Sequence, residues 1–386
     1  MVDQRSDSAN SALWLQDKVK AMEEVLATLV NVNSYTDNTE GGRKVATLLE
    51  ELFKGSALTK VPSTRYADHL VFRTPGKKGA SPIALVGHLD TVFPPGTFEG
   101  YARDGDLARG PGVLDMKGGL VVVAYALKAL QETVGLDALP PIHVVIVADE
   151  EVGSPEGQAV IRDAIGGASA CLVFEAGRKG DAIITRRKGT GAVTAIAKGK
   201  AAHAGNNHKE GANALWALAR FVDRVQQLTD YDRGVTVNVG KITGGQGKNT
   251  VPDLGEALLD IRFVTKVDAE SLMDAIRVAA RESAVPGTSI EIQGGIARLP
   301  LERSEASERL MKSYGAFARE SGLGDGEASL IGGGSDASTS SAMGIASIDG
   351  LGPRGIGFHT KDEQIEFQTL LLKAQALARF LASLQS

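Results

Sequence analysis

The sequence predicts an α/β protein of two domains. One is a mainly parallel mixed sheet with helices on both faces, and the other is a smaller two-layer α+β domain inserted within it. Three observations carry this. The chain has 386 residues, beyond the size at which one hydrophobic core usually keeps growing. Up to about Lys188, short apolar β-branched runs alternate with helical periodicity, the pattern of a covered parallel sheet. From Gly191 to Gln293 the order becomes β-α-β-β-α-β over roughly 105 residues, a ferredoxin-like signature.

Taken in order, Leu13–Val32 carries Leu15, Val19, Met22, Val25, Leu26 and Leu29 at helical spacing and reads as one amphipathic helix. The polar loop Asn33–Glu40 leads to a second helix over about Gly42–Phe53. Strands are expected at His69–Arg73 and Ile83–Gly87, the latter running into His88-Leu89-Asp90. A Pro/Gly loop (Phe93–Gly100) and a polar hairpin-like stretch precede Gly110–Asp115 and a helix over about Lys117–Thr133. The strand His143–Ala148 is apolar enough to be buried on both faces, and it opens into three consecutive acids, Asp149, Glu150 and Glu151. A helix near Glu156–Ile165 and the strand Ala170–Phe174, ending in Glu175, complete this part. In the insertion, strands at Gly191–Lys198, Val235–Ile242, Glu256–Phe263 and Ser289–Gln293 frame helices at about Ala212–Leu228 and Ala269–Ala284. From Arg298 helices and short strands resume, closing with a helix over about Phe367–Leu384.

Bulk chemistry excludes several functions. A net charge of −5, with 43% hydrophobic and 23% charged residues and no long basic run, offers no footprint for nucleic acid or a membrane surface. No window approaches the roughly 18 apolar residues of a membrane span. The lone Cys171 lies in an apolar run, as a small core residue does, which suits a reducing compartment. The first residues lack the basic and apolar regions of a secretory leader, so the expected location is cytoplasmic.

Chemistry concentrates where strands end. Three adjacent acids at the mouth of a buried strand repel one another, and a cation or a bound proton would relieve that cost. A solvated acidic turn is the plainer alternative. Parallel strands would gather His88, Asp90, Asp115, Glu150, Glu151, Glu175 and the distant His359 at one sheet edge, where α/β proteins bind ligands. Two imidazoles with several carboxylates suit Zn2+, Co2+ or Mn2+, and a shared carboxylate would accommodate a metal pair. On an extended segment Glu150 and Glu151 point to opposite sides, so one can ligate metal while the other faces a bound water as general base. His69 and His143 lie inside strands and read as structural.

Gly87-His88-Leu89-Asp90-Thr91-Val92-Phe93-Pro94, Gly110-Pro111-Gly112-Val113-Leu114-Asp115-Met116-Lys117-Gly118-Gly119 and Asp149-Glu150-Glu151-Val152-Gly153-Ser154 resemble the signatures of the M20 metallopeptidases, and most of all those of the glutamate carboxypeptidase (carboxypeptidase G2-like) branch. The resemblance implies a zinc-peptidase-like catalytic domain over 1–188 and 297–386, and a lid/dimerisation domain over 189–296. It implies two Zn2+ per chain, with Co2+ or Mn2+ as substitutes: His88, Asp115 and Glu175 on one, His359, Asp115 and Glu151 on the other. Asp115 would bridge, Glu150 would be the general base, and Asp90 would orient His88. Gly199-Lys200-Ala201-Ala202-His203-Ala204-Gly205 resembles the family's lid motif, in which the histidine, here His203, binds the oxyanion, usually across a homodimer.

On the substrate side, Arg262 at a strand end suits bidentate capture of a carboxylate. The resemblance assigns positions like Asn249 and Arg262 to the substrate's α-carboxylate or the oxyanion. The loop Gly332-Gly333-Gly334-Ser335-Asp336 could bring backbone N–H groups, Gly333 and Gly334 among them, close to an anion. It lacks the Lys-Ser/Thr of a phosphate loop, so nucleotide binding is not expected. Arg298 is a further candidate, with a surface salt bridge as its alternative. The expected substrates are peptidyl- or N-acyl-glutamate-like molecules cleaved beside a free C-terminal carboxylate. An N-acyl-amino-acid deacylase of the acetylornithine or desuccinylase type is the second reading, and a catalytically silent binding protein the third.

Overall fold

The structure is a computed structural model that describes residues 4–385; the start of the stretch read for a leader lies outside them. The chain divides into two compact units. The first comprises Met1–Arg186, Arg303–Leu330 and Ser335–Ser386, and the second Arg187–Glu302 with Ile331–Gly334.

In the first unit a six-stranded sheet has the spatial order Ala57–Val61, His69–Arg73, Ile142–Val147, Ile83–His88, Ala170–Val173, Ala346–Ile348. The first three strands run antiparallel to one another, and the contacts from Ile142–Val147 onward are parallel. The central strands, such as Ile83–His88, are wholly buried, as near-continuous apolar runs require. The helix Lys117–Thr133 is buried over most of its length and the helix Gln368–Ala382 over much of its length. A small antiparallel sheet pairs Leu107–Arg109 with both Ala102–Asp104 and Gln364–Glu366. This brings the segment before Asp115 beside the segment after His359.

Two local expectations are corrected, and one strand is added. Leu13–Val32 is two helices, Gln4–Gln16 and Val19–Val30. Lys18 leaves helical geometry (φ −106°, ψ 0°), and the stripe through Leu15, Val19 and Met22 hides the break because both halves bury those residues against the same core. The second helix starts earlier, at Thr39, because the Asn38 side chain caps it by accepting the Gly41 N–H at 3.2 Å. Ala57–Val61 is an almost fully exposed edge strand, so it lacks the alternation that marks a half-buried one.

The second unit is a four-stranded antiparallel sheet in the order Thr236–Gly244, Leu254–Phe263, Gly189–Lys198, Ser289–Arg298. Helices Ala214–Gln226 and Lys266–Ser283 share its core with Val193, Ala195, Leu259 and Ile261. Strand order and connectivity are ferredoxin-like. The unit reaches past 297 because Arg187 and Leu301 exchange backbone hydrogen bonds at 3.0 and 3.1 Å, and it takes in Ile331 through the Lys188 N–H at 2.8 Å.

Gly119 sits where the helix Lys117–Thr133 crosses the end of the Ala170–Val173 strand; a Cβ there would collide with the Phe174 carbonyl. Gly119→Ala must therefore displace the backbone one residue before Glu175. The expected loss is about 1–3 kcal/mol or more in urea unfolding, and unchanged stability would contradict this packing.

Candidate metal centre

Five backbone segments of the first unit deliver the site. Parallel neighbours Ile142–Val147, Ile83–His88 and Ala170–Val173 end at the same edge, placing Asp149–Glu151, His88 and Glu175 together. The turn 110–115 adds Asp115, and the turn 357–363 adds His359. Gly112 in the first turn has φ +80°, a conformation that favours glycine. The Asp115–Met116 peptide is cis.

Asp115 lies at the centre. Its Oδ1 is 3.3 Å from Nε2 of His88, and its Oδ2 is 3.3 Å from Nε2 of His359. His88 Nε2 is also 3.7 Å from Glu175 Oε1, and His359 Nε2 is 3.1 Å from Glu151 Oε2. Ligands about 2.1 Å from a tetrahedral ion are about 3.4 Å from each other, close to these separations; the trios whose donor atoms all lie within 4.8 Å of one another are His88, Asp115 and Glu151, and His88, Glu150 and Glu175. A carboxylate oxygen of Glu150 also falls within 4.8 Å of donor atoms on His88 and Glu175. The donor set of two imidazole nitrogens and carboxylate oxygens is one that divalent zinc, cobalt or manganese accepts.

The electrostatics agree. Burial, with Asp115 beside it, pushes Glu175 up to about 7, and burial and Asp115 likewise push Glu151 up to about 7, against the pull of His359. Hydrogen bonds to Asp115 and Glu151 raise His359 to about 10. Burial opposes charge on His88, but Asp115, Asp90 and Glu175 outweigh it and hold the imidazole well above its ordinary value. Asp115, despite burial, is held well below the carboxylate range by His359 and His88. The protein alone answers the crowding of acids by holding protons. Divalent cations would take their place.

Glu150 and Glu151 do not point to opposite sides. The backbone leaves the strand at Asp149 and forms a single 3-10 turn, Glu150–Val152, so both carboxylates face the cluster. The turn is tied down by Asp90, whose Oδ1 and Oδ2 accept the N–H groups of Glu150 and Glu151, each at 3.2 Å. Asp90 also accepts the Thr36 hydroxyl at 2.8 Å. Its orienting role toward His88 is shared between main chain and side chain: His88 Nδ1 is 3.0 Å from the Asp90 carbonyl oxygen and 3.4 Å from Oδ1. Asp149 is structural, with Oδ2 accepting the N–H groups of Glu156 and Gly157 at 2.8 and 3.0 Å. Buried His69 accepts the Ala148 N–H at 3.2 Å, and His143 Nδ1 lies 2.8 Å from the Ala164 carbonyl.

Sequence reasoning missed Glu363, Lys117 and Thr36 as supports. Lys117 donates to the carbonyls of Leu29 and Val32 at 3.0 and 2.9 Å, anchoring the start of its helix. Glu363 is wholly buried in a segment whose sequence is merely polar, and only its distant partners reveal it.

The remaining candidates belong to the second unit. His203 ends the two-residue strand Ala202–His203, paired with Thr250–Val251. Its Nδ1 accepts the N–H groups of Gly205 and Asn206 at 3.1 and 3.0 Å, which leaves Nε2 as the proton-bearing nitrogen. Asn249 is beside it, its carbonyl accepting the Ala204 N–H at 2.9 Å. Arg262 and Arg298 flank Thr190 across the sheet, and Gly334 packs on Arg298 and Thr190. Gly333 gives its carbonyl to Arg187 Nη1 at 3.3 Å. The Arg262 guanidinium makes the expected bidentate contact, but to Asp260 of its own strand, at 2.8 Å for both bonds.

Residues 185–288 match the model of the peptidase dimerisation domain of the M20 family. A succinyl-diaminopimelate desuccinylase of Cereibacter sphaeroides is 30% identical over 371 residues, covering 88% of this chain and 92% of that one. The chain belongs to the M20 metallopeptidase family. Carboxypeptidase G2 of Pseudomonas sp. strain RS-16 is 27% identical over 376 residues, 95% of this chain and 90% of that protein. Among solved structures, the aminopeptidase PepT of Bacillus cereus superposes with a TM-score of 0.78 at 22% identity, over 95% of this chain and 99% of that one. An M20 family metallo-carboxypeptidase of Sulfolobus solfataricus does so with 0.72 at 17%, over 94% and 99%. The M20 member described here is thus a metal-dependent peptidase or amidohydrolase, carboxypeptidase-like in sequence. Among the described residues no helix is long and apolar enough to cross a membrane.

Proposed function

We propose that this M20 protein is a dizinc hydrolase that cleaves an amide bond next to a free C-terminal carboxylate, with peptidyl- or N-acyl-glutamate-like molecules as substrates. The observation that carries the reading is Asp115, whose two oxygens each lie 3.3 Å from a different imidazole. His88, Asp115 and Glu175 would hold one Zn2+, and His359, Asp115 and Glu151 the other, with Co2+ or Mn2+ able to replace them. When bound, the metal pair polarises the scissile carbonyl and lowers the pKa of water.

Every other step falls to side chains. Glu150 takes the proton of the attacking water on a carboxylate oxygen and passes it to the leaving nitrogen. Asp90 holds the His88 ring and, through the N–H groups of Glu150 and Glu151, fixes the base relative to the ligands. His203, with Nδ1 engaged by two N–H groups, offers Nε2–H to the oxyanion, in its own or a partner chain's site, and Asn249 supports it. Arg262, with Arg298, Gly333 and Gly334 near it, receives the substrate carboxylate, which must displace Asp260. The dimerisation-domain match supports a homodimer, and the buried lone Cys171 suits the cytoplasm.

Glu150→Gln should keep its metal by elemental analysis and lose about 10²- to 10⁴-fold in kcat; a near-normal kcat would sink the assignment of the base. A deacylase reading draws on the desuccinylase relative. It is separated by comparing kcat/KM on peptidyl-, N-acetyl- and N-succinyl-glutamate and on their C-terminal amides. Both readings expect the amides to be worse by about two orders of magnitude or more. Preference for the acetyl or succinyl compounds over the peptidyl one would select the deacylase.

A further inference from the structure

Glu363 takes no part in the ligand set, yet it is one of the most completely buried acids in the chain. Burying a carboxylate is costly unless it is hydrogen-bonded. Its bonds all go to one place. Oε1 accepts the N–H groups of Leu114 and Asp115 at 2.9 and 3.0 Å, and Oε2 accepts that of Gly112 at 3.2 Å. The side chain occupies the 110–115 turn as an anion occupies a concave arrangement of amides, and one of those amides is Asp115's own.

The backbone of Glu363 closes the turn that carries His359. The intervening turn is closed by the Thr360 N–H on the Gly357 carbonyl at 2.9 Å and the Glu363 N–H on the Thr360 carbonyl at 3.2 Å. His359 itself has φ +62°, so its placement depends on a locally constrained backbone. Arg109 reaches across to the Lys361 carbonyl with Nε and Nη2 at 3.2 and 2.6 Å. The pairing of Gln364–Glu366 with Leu107–Arg109 continues up to that point. One side chain therefore references the Asp115 turn to the His359 turn. His88 and Glu175, by contrast, follow strands of the large sheet, whereas the side-chain bonds of Glu363 go to the 110–115 turn.

We infer that Glu363 is a positioning residue for the metal centre: it keeps Asp115 Oδ2 and His359 Nε2 close enough to share one ion, and so governs the His359–Glu151–Asp115 position more strongly than the other, where Asp115 acts beside the strand-borne His88 and Glu175. This rests on the two-metal reading proposed above. A purely structural buried acid would affect stability without discriminating between metal positions.

The test is titration of metal-stripped wild type, Glu363→Gln and Glu363→Asp with Co2+, followed by calorimetry and visible absorption, with Tm measured alongside. Glutamine sets an NH2 against the Gly112 N–H. Aspartate keeps the charge but ends one methylene short and serves if the glutamine variant does not fold. Wild type should bind two ions. In either variant, one step should weaken by about 10- to 100-fold, and the other, which shares Asp115, by clearly less, whatever happens to Tm. Two unchanged steps, or equal weakening of both, would overturn the inference. A wild type that binds a single ion would instead overturn the two-metal reading.

Discussion

The crowding of acids against two imidazoles at one sheet edge is the constraint on which the rest of the first unit depends. Asp115, Glu151 and Glu175 are each too buried to be stabilised by water alone. Their charge is met by the histidines, by protons and, on the present account, by divalent ions. Each structural feature around them limits their freedom. Asp90 binds the 3-10 turn that carries Glu150 and Glu151, Asp149 caps the following helix, Lys117 pins the helix after Asp115, and Glu363 fills the turn before it. A metal site needs ligands held to fractions of an ångström, and these bonds supply that tolerance from segments remote in sequence.

Much of this is legible in the sequence. Buried strands announce themselves as apolar runs, and a parallel sheet must collect their C-terminal ends, so His88, Glu175 and the acids after Ala148 could be placed at one edge. Asp115 and the distant His359 could be gathered there too, and the motif resemblance added the division of the ligands between two ions. What could not be read was conformation set by partners. The opposite-side expectation for Glu150 and Glu151 assumed an extended chain, whereas Asp90 draws both N–H groups into a turn. Glu363 and Thr36 carry no local pattern at all. The break at Lys18 was concealed because apolar spacing continues across it, and Ala57–Val61 because an exposed edge has no buried face to mark it.

On the second unit the strand pattern was legible and the chemistry less so. A strand-end arginine suits a bidentate carboxylate partner, and Arg262 has one, but it is Asp260. Sequence specifies the geometry of that fork without saying whose carboxylate occupies it. An exposed intrachain pair of this kind contributes little stability, so exchange for a substrate carboxylate is energetically accessible. His203 and Asn249 are brought side by side by a two-residue ladder, too short to register as periodicity.

Whether Asp115 is shared between two ions can be seen from where the ions sit. Anomalous diffraction at the zinc absorption edge, on crystals of zinc-loaded protein, tests it most directly. Two anomalous peaks are expected about 3.5–4 Å apart, one beside His88 and Glu175, the other beside His359 and Glu151, with Asp115 between them. A single peak, or two peaks without Asp115 between them, would contradict that sharing.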